Sequence, residues 1–407
     1  MDTNKFSAPG AALGYLAQVE YGLVYALRRM DEQVIDLAIT IETADDLVFE
    51  IEDDPSFKEL WQTKHHKDRS GSLGDASPDI WKTIHNWIET STNEALILLS
   101  TSAATVNSAA WMLSFHVGRR NVESACVKLV AVAIEHGNGA LASYYDRFLA
   151  LTDTERISLL GRVVVIDEAV SSEDITAELL RTTRKAVQDQ TRRIALVERL
   201  RGWWHGRVIT HLNAVALGRA DKIQLSEIED RLHYFSQSLR DENLPLDFEL
   251  HPWPTLQDVA DDQRVFVEQL RLIMLHSDRI RQAVYDHNRA FLQRSKWQRE
   301  RLLNLDELKI YDRRLIEEWS RFFLPIGSED AAEDEDEKRA RARETFVRFE
   351  QRELPELRKE MHSRYVPIGS LHILADEFRI GWHPQWVDLL HERLSELGHP
   401  LTNVGSA

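Results

Sequence analysis

Asp46, Gln62 and Lys64 are residues whose types, taken together, suit the activation of water beside a divalent cation. A carboxylate and an amide oxygen fit a hard cation such as Mg²⁺ or Mn²⁺, which keeps several waters and needs only one or two protein carboxylates. Hydrolysis of a phosphodiester makes matching demands: a metal to neutralise the non-bridging oxygens, an activated water, and a cation near the attacking group. Lys64 would orient the water or help deprotonate it. Thr63, between Gln62 and Lys64, can lend its backbone carbonyl to the metal.

Those residues must be brought together by strands. Residues two apart on a strand share a face, so Gln62 and Lys64 point the same way if Glu59 to His65 (ELWQTKH) is extended. Val34 to Glu42 (VIDLAITIE) and Asp46 to Ile51 (DLVFEI) are also short and β-branched, and the three runs predict an antiparallel meander with the turn EDDPS before the third. Asp46, sixteen residues before Gln62, opens the neighbouring strand. Before the meander, Leu16, Val19, Leu23, Val24 and Leu27 recur at helical spacing, which predicts a helix over Gly14–Met30.

Beyond a polar loop from Asp68 to Ser77, Pro78 sits in the first turn of a helix carrying Ile80, Trp81, Ile84 and Trp87, with Ser77 as its cap. Ala95–Ser100 (ALILLS) reads as a buried strand, Asn107 to about Leu151 as helical, and Leu159–Ile166 (LLGRVVVI) as a further strand. This order predicts an α/β domain with a mixed sheet flanked by helices. Past Ser171 the pattern is helical, and AVALGRADK interrupts two long helical runs. We therefore expect an α/β domain over 1–218 and an all-α domain over 219–407.

The chain has 407 residues and a formal net charge of -17, which argues against a protein coated over its whole surface by nucleic acid. A local basic site is compatible with that charge, and Lys67, Arg69 and Lys82 are candidate contacts to DNA phosphates. One cysteine, Cys126, excludes an internal disulfide and a cysteine-based zinc cluster. No run is apolar enough for a membrane span and Met1–Gly10 lacks signal-peptide character, so the expected location is the cytoplasm. His65 and His66 face opposite ways on a strand and make a poor zinc pair. Trp203, Trp204, His205 and Arg207 (WWHGR) sit at helical spacing that suits a core or interface, and Ser328–Arg343 is an acidic block running into a basic one.

Taken singly, Asp-Asp before a strand is ordinary turn chemistry and QTK is ordinary strand alternation. As an ordered set, the motifs GYLAQ at Gly14–Gln18, IETADDLV at Ile41–Val48, WQTKHH at Trp61–His66, SPDIWKTIHNW at Ser77–Trp87 and LLSTSAA at Leu98–Ala104 resemble PD-(D/E)XK nucleases. The resemblance is to the branch with Gln in place of the acidic residue, as in Mrr-like restriction enzymes, and to effector nucleases of bacterial anti-phage systems. It implies a Mg²⁺- or Mn²⁺-dependent DNA endonuclease with Asp46, Gln62 and Lys64 at its centre. It adds Glu42, either as a metal ligand or as a holder of Lys64, and a polar residue on the opening helix, here Gln18 or Glu20. Ile368–Trp386 (IGSLHILADEFRIGWHPQW) combines Gly, His, Trp and Pro in a turn-rich unit, with His372 and His383 more plausible as satisfied structural histidines than as ligands. The C-terminal block resembles the tail of nuclease subunits of ABC-three-component defence systems, the Lamassu group in particular. That implies an SMC-like ABC ATPase and a small middle subunit as partners, and a nuclease held inactive until released. Cutting both strands of a duplex implies a homo-oligomer when active. Two other readings are a catalytically silent DNA-binding or scaffold subunit and a stand-alone Mrr-like restriction enzyme.

Overall fold

The computed structural model describes residues 8–30, 36–52, 54–65, 72–90, 93–171, 173–323 and 334–396. They form two compact units, one reaching Phe235 and one starting at Ser236.

The first unit opens with helix α1 (Ala8–Met30), followed by strands β1 (Leu37–Ile41), β2 (Leu47–Ile51) and β3 (Asp54–Lys64). The expected meander is present: β1 pairs antiparallel with β2, and β2 with β3, with Leu47 opposite Trp61. A short strand β4 (Ser72–Leu73) leads to helix α2 (Pro78–Thr90) and then β5 (Ala95–Ser100), which lies parallel to β3 with Lys64 opposite Ser100. A second short strand, β6 (Ala103–Ala104), pairs with β4. Helices α3 (Ala109–Met112), α4 (Val122–Glu135), α5 (Ala142–Leu149) and α6 (Asp153–Arg162) precede β7 (Val163–Ile166), which is parallel to β5.

The strand expected to begin at Leu159 is shorter than its sequence suggests. Leu159, Leu160, Gly161 and Arg162 are the last residues of α6. Thr152 and Glu155 form a reciprocal capping box at its start, and Leu159 and Leu160 are buried on one helical face. A well-capped amphipathic turn outweighs the strand preference of the valines until Val163.

Helices α7 (Ile175–Thr182) and α8 (Gln190–Ala216), strand β8 (Ile223–Gln224) and helix α9 (Leu225–Ser238) complete the unit. The sheet order is β7-β5-β3-β2-β1-β8. The first unit runs past Gly218 because Ile223 pairs with Ile39 at the sheet edge and Leu225 and Ile228 join the core. Arg207 of α8 also reaches across, to Asp221 (2.7 Å) and Glu227 (2.8 Å).

The strands are apolar on both faces, as a sheet covered on both sides requires. Leu47, Phe49, Trp61, Ile97 and Leu99 face a core shared with α1, α7 and α8, while Val48, Leu60, Leu96 and Leu98 face one shared with α2 to α6. In WWHGR the tryptophans serve the core: Trp204 is fully buried and donates to the Val19 carbonyl at 2.8 Å.

Every named element of the second unit is helical: α10 (Leu256–Ala260), α11 (Val265–Leu272), α12 (Ser277–Arg299), α13 (Glu307–Phe323), α14 (Glu335–Glu350), α15 (Tyr365–Asp376) and α16 (Trp386–Glu396). The segment from Ile368, expected to be turn-rich, is helical as far as Asp376, and Gly369 lets α15 approach α12 closely. A Cβ there would lie 2.1 Å from the Asp286 carbonyl oxygen. His372 is buried among Phe266, Phe346 and Trp382. Burial, followed by the charges of His287 and Arg264, lowers its pKa to about 3. It stays neutral at ordinary pH, but among the described residues neither of its ring nitrogens has a hydrogen-bond partner, so it is not the satisfied histidine expected from sequence.

β3 carries the candidate site, and Trp61 fixes it. Its ring lies 4.8 Å from that of Tyr25 and 5.5 Å from that of Phe49, and its Nε1 donates to Glu59, which Arg29 of α1 also grips. Trp61→Ala is expected to cost ~3–5 kcal/mol in urea unfolding. A loss below about 1 kcal/mol would mean that β3 is held by something else.

Candidate active site at the end of the central strand

Asp45 and Asp46 lie in the turn from β1 to β2, and Gln62 and Lys64 at the end of β3. Antiparallel pairing of Leu47 with Trp61 sets Asp46 beside Gln62. The turn is closed by the Glu42 N–H, which donates to the Asp46 carbonyl at 3.1 Å, with Glu42 in the left-handed region at φ 54°. Gln18 of α1 then clamps it, its Nε2 donating to the Asp46 carbonyl (2.7 Å) and to Glu42 Oε1 (2.9 Å). Of the two polar residues offered by the opening helix, Gln18 is thus at the site. Glu20 is engaged by α8, through Arg201 (3.0 Å) and His205 (2.9 Å).

The groups expected from sequence converge. Lys64 Nζ donates to Gln62 Oε1 at 3.0 Å, and Gln62 Nε2 donates to Asp46 Oδ1 at 3.3 Å. Asp46 Oδ2 accepts from both the backbone N–H (2.7 Å) and the hydroxyl (2.9 Å) of Thr63. Thr63 therefore meets Asp46 as a donor. Glu42 is partnered by Gln18, and Lys64 by Gln62.

Asp45 was not among the expected residues. Its carboxylate accepts from Gln62 Nε2 through a short contact and from the Trp87 indole of α2 at 2.9 Å. Burial raises its pKa, while hydrogen bonds from Trp87, then Gln62, oppose the rise. The available signal was the doubled acid in IETADDLV, together with a tryptophan one turn from the end of an amphipathic helix. Asp45, Asp46, Gln62, Glu42, Asn86 and Trp87 line an open cleft of about 400 Å³. Lys82 is exposed on α2, one helical turn before Asn86. Lys67, Arg69 and His66 lie outside the described residues.

The donor set was weighed against a divalent cation. Among the described residues no three His, Cys, Asp or Glu side chains converge as a ligand group. Two carboxylates with an amide oxygen do meet the modest demand of Mg²⁺ or Mn²⁺. Asp45, whose charged form burial disfavours, gains from a cation beside it. Gln62 at present turns its amide nitrogen to the carboxylates and its oxygen to Lys64, so binding through oxygen requires the amide to turn over.

Comparison with known proteins bears on the second unit. Residues 266–390 match the family described as C-terminal domain 7 of the ABC-three component (ABC-3C) systems. The C-terminal part of the chain is thus similar to a domain of these defence systems, which supports the chain's being a component of one. No curated protein matches the chain. Among solved structures, the Moraxella osloensis Cap4 SAVED/CARF-domain containing receptor is similar at 13% identity and a TM-score of 0.32, over 65% of this chain. The match spans 60% of that receptor's chain. Among the described residues no helix is long and apolar enough to cross a membrane.

The raised Asp45 pKa has a signed consequence. In the folded state Asp45 holds its proton to higher pH than in the unfolded chain, so stability falls as pH rises above its ordinary value of 3.8. Asp45→Asn lacks this titration. Urea midpoints measured across pH should shift in favour of Asp45→Asn as pH rises from acid to neutral. A constant or reversed difference would show that Asp45 is not desolvated.

Proposed function

We propose that this chain is a divalent-metal-dependent endodeoxyribonuclease of the PD-(D/E)XK type, serving as the effector of an ABC-three-component anti-phage system, and that the second unit joins it to its partners. The observation that carries the reading is the hydrogen-bonded cluster at the end of a central strand, in which Asp45, Asp46 and Gln62 line one open cleft and Lys64 binds the Gln62 amide oxygen behind them. Asp46 and Gln62 would hold Mg²⁺ or Mn²⁺, with Asp45 as the second carboxylate and Glu42 at the rim. The ion, when bound, neutralises the phosphate oxygens and polarises a water.

The chain's own residues do the rest. Thr63 fixes the Asp46 carboxylate with two donors, and Gln18 fixes the turn behind it. Lys64, half-buried and hydrogen-bonded to an uncharged amide oxygen, is positioned to direct the attacking water and to stabilise the charge it acquires. Trp87 covers one side of Asp45 and limits its access to bulk water.

The proposed partners are an SMC-like ABC ATPase and a small middle subunit, as in the Lamassu group. A free DNase endangers its host, so the proposal includes restraint by that complex and a homo-oligomer as the active form. The similarity of residues 266–390 to an ABC-three component domain supports this assignment.

The test is plasmid cleavage by wild type and Lys64→Ala over a range of protein concentrations, with Mg²⁺ or Mn²⁺ and with EDTA. Wild type should cut only with metal, and Lys64→Ala should be slower by about 10²-fold or more. Equal cutting by the two, or cutting that EDTA leaves intact, would sink the proposal.

A further inference from the structure

We propose that the exposed segment Phe115–Arg119, between α3 and α4, is a duplex-DNA contact that engages the groove next to the one presented to Lys64. This rests on the nuclease reading for its substrate but on separate residues for its evidence.

The sheet places the segment at the same end as the candidate site. β3, β5 and β7 are parallel, with Gln62 opposite Leu98 and Leu98 opposite Val165. Ser114 forms a parallel bridge to Val165, so the chain leaving Ser114 runs the same way as β3. The Val165 N–H donates to the Leu113 carbonyl at 2.9 Å, and Arg120 closes the far side of the segment on the carbonyls of Leu113 (3.1 Å) and Val163 (2.9 Å). The segment is thereby a braced projection. Three lateral strand steps separate it from β3, about 14 Å. That distance approaches the half-turn of about 17 Å that separates successive grooves on one face of B-DNA.

Its composition fits the partner. From Ala95 to Val122 the chain carries no Asp or Glu, although acids outnumber Lys and Arg overall by 67 to 50. Past β7, Asp167 accepts from the Ala104 N–H at 2.9 Å, and Glu168 beside it is exposed. Five consecutive residues, Phe115 to Arg119, are exposed, with Phe115 at 56% and Val117 at 92%. The Phe115 ring lies 4.1 Å from that of His116, and the Arg119 guanidinium stands 5.5 Å from the Trp111 ring. An apolar tip followed by Arg119 on a braced turn suits insertion into a groove, the apolar side chains against sugars or base steps and Arg119 on phosphate.

The test measures binding of a fluorescent synthetic duplex to the full chain carrying Lys64→Ala, at several salt concentrations. Added to this background, Phe115→Ser with Val117→Ser and Arg119→Ala should weaken binding by about ten-fold or more. Arg119→Ala alone should reduce the slope of affinity against salt by about one phosphate contact. Leu250→Ser, at another exposed apolar residue (98%), should leave affinity unchanged. Thermal midpoint and molar mass should match the parent throughout. Unchanged affinity, no duplex binding by the parent, or loss of binding only together with a changed molar mass would overturn the inference, the last pointing to a protein interface. The two readings fail separately. A wild type that never cuts, with loop variants that lose binding, rejects the nuclease alone. A wild type that cuts, with loop variants of unchanged KM, rejects the contact alone.

Discussion

The placement of β3 between two apolar cores is the constraint on which the first unit depends. Trp61 and Leu60 face opposite cores, and β2 and β5 hold its two edges. A slip of one residue would bring Gln62 and Lys64 onto the face of Trp61 and drive Trp61 toward α2. Register and chemistry are therefore one specification. The residues that cannot move for packing reasons place the candidate site residues.

The polar end of the strand repeats this logic with hydrogen bonds. Gln62 is buried at 7% exposure and finds partners for both ends of its amide, carboxylates on one side and an ammonium on the other. Without those partners its burial would be costly. The arrangement is closed upon itself, and the Gln62 amide nitrogen sits where a cation between two carboxylates would sit. A metal bound there, as proposed, would substitute one positive partner for another, with a turn of the amide. Gln18 plays the corresponding part for the backbone, binding the Asp46 carbonyl and the Glu42 carboxylate from α1.

The second unit is organised differently. Ion pairs join its elements, such as Arg358 with Glu307 at 2.7 Å and Arg294 with Asp312 at 2.9 Å. One of its buried imidazoles, His372, is kept neutral among aromatic rings. These features serve packing, in keeping with the likeness of residues 266–390 to a domain of a multi-component system.

Much of the site was legible in sequence because strand periodicity is local. The alternation in VIDLAITIE, DLVFEI and ELWQTKH specified a meander, and a meander brings Asp46 to Gln62 whatever surrounds it. Other features needed the fold. Asp45 joined the site only because α2 folds over the turn and offers the Trp87 indole, a contact across 42 positions that no spacing rule encodes. LLGR at the start of the expected last strand became helix because a capping box upstream and burial of Leu159 decided it. The first unit ran on to Phe235 because a two-residue strand found an unpaired edge of β1. The alignment of Ser114 with Val165, which sets an exposed loop level with Lys64, is a property of parallel pairing between distant segments. Local pattern determined which residues could act. Non-local packing decided which of them meet.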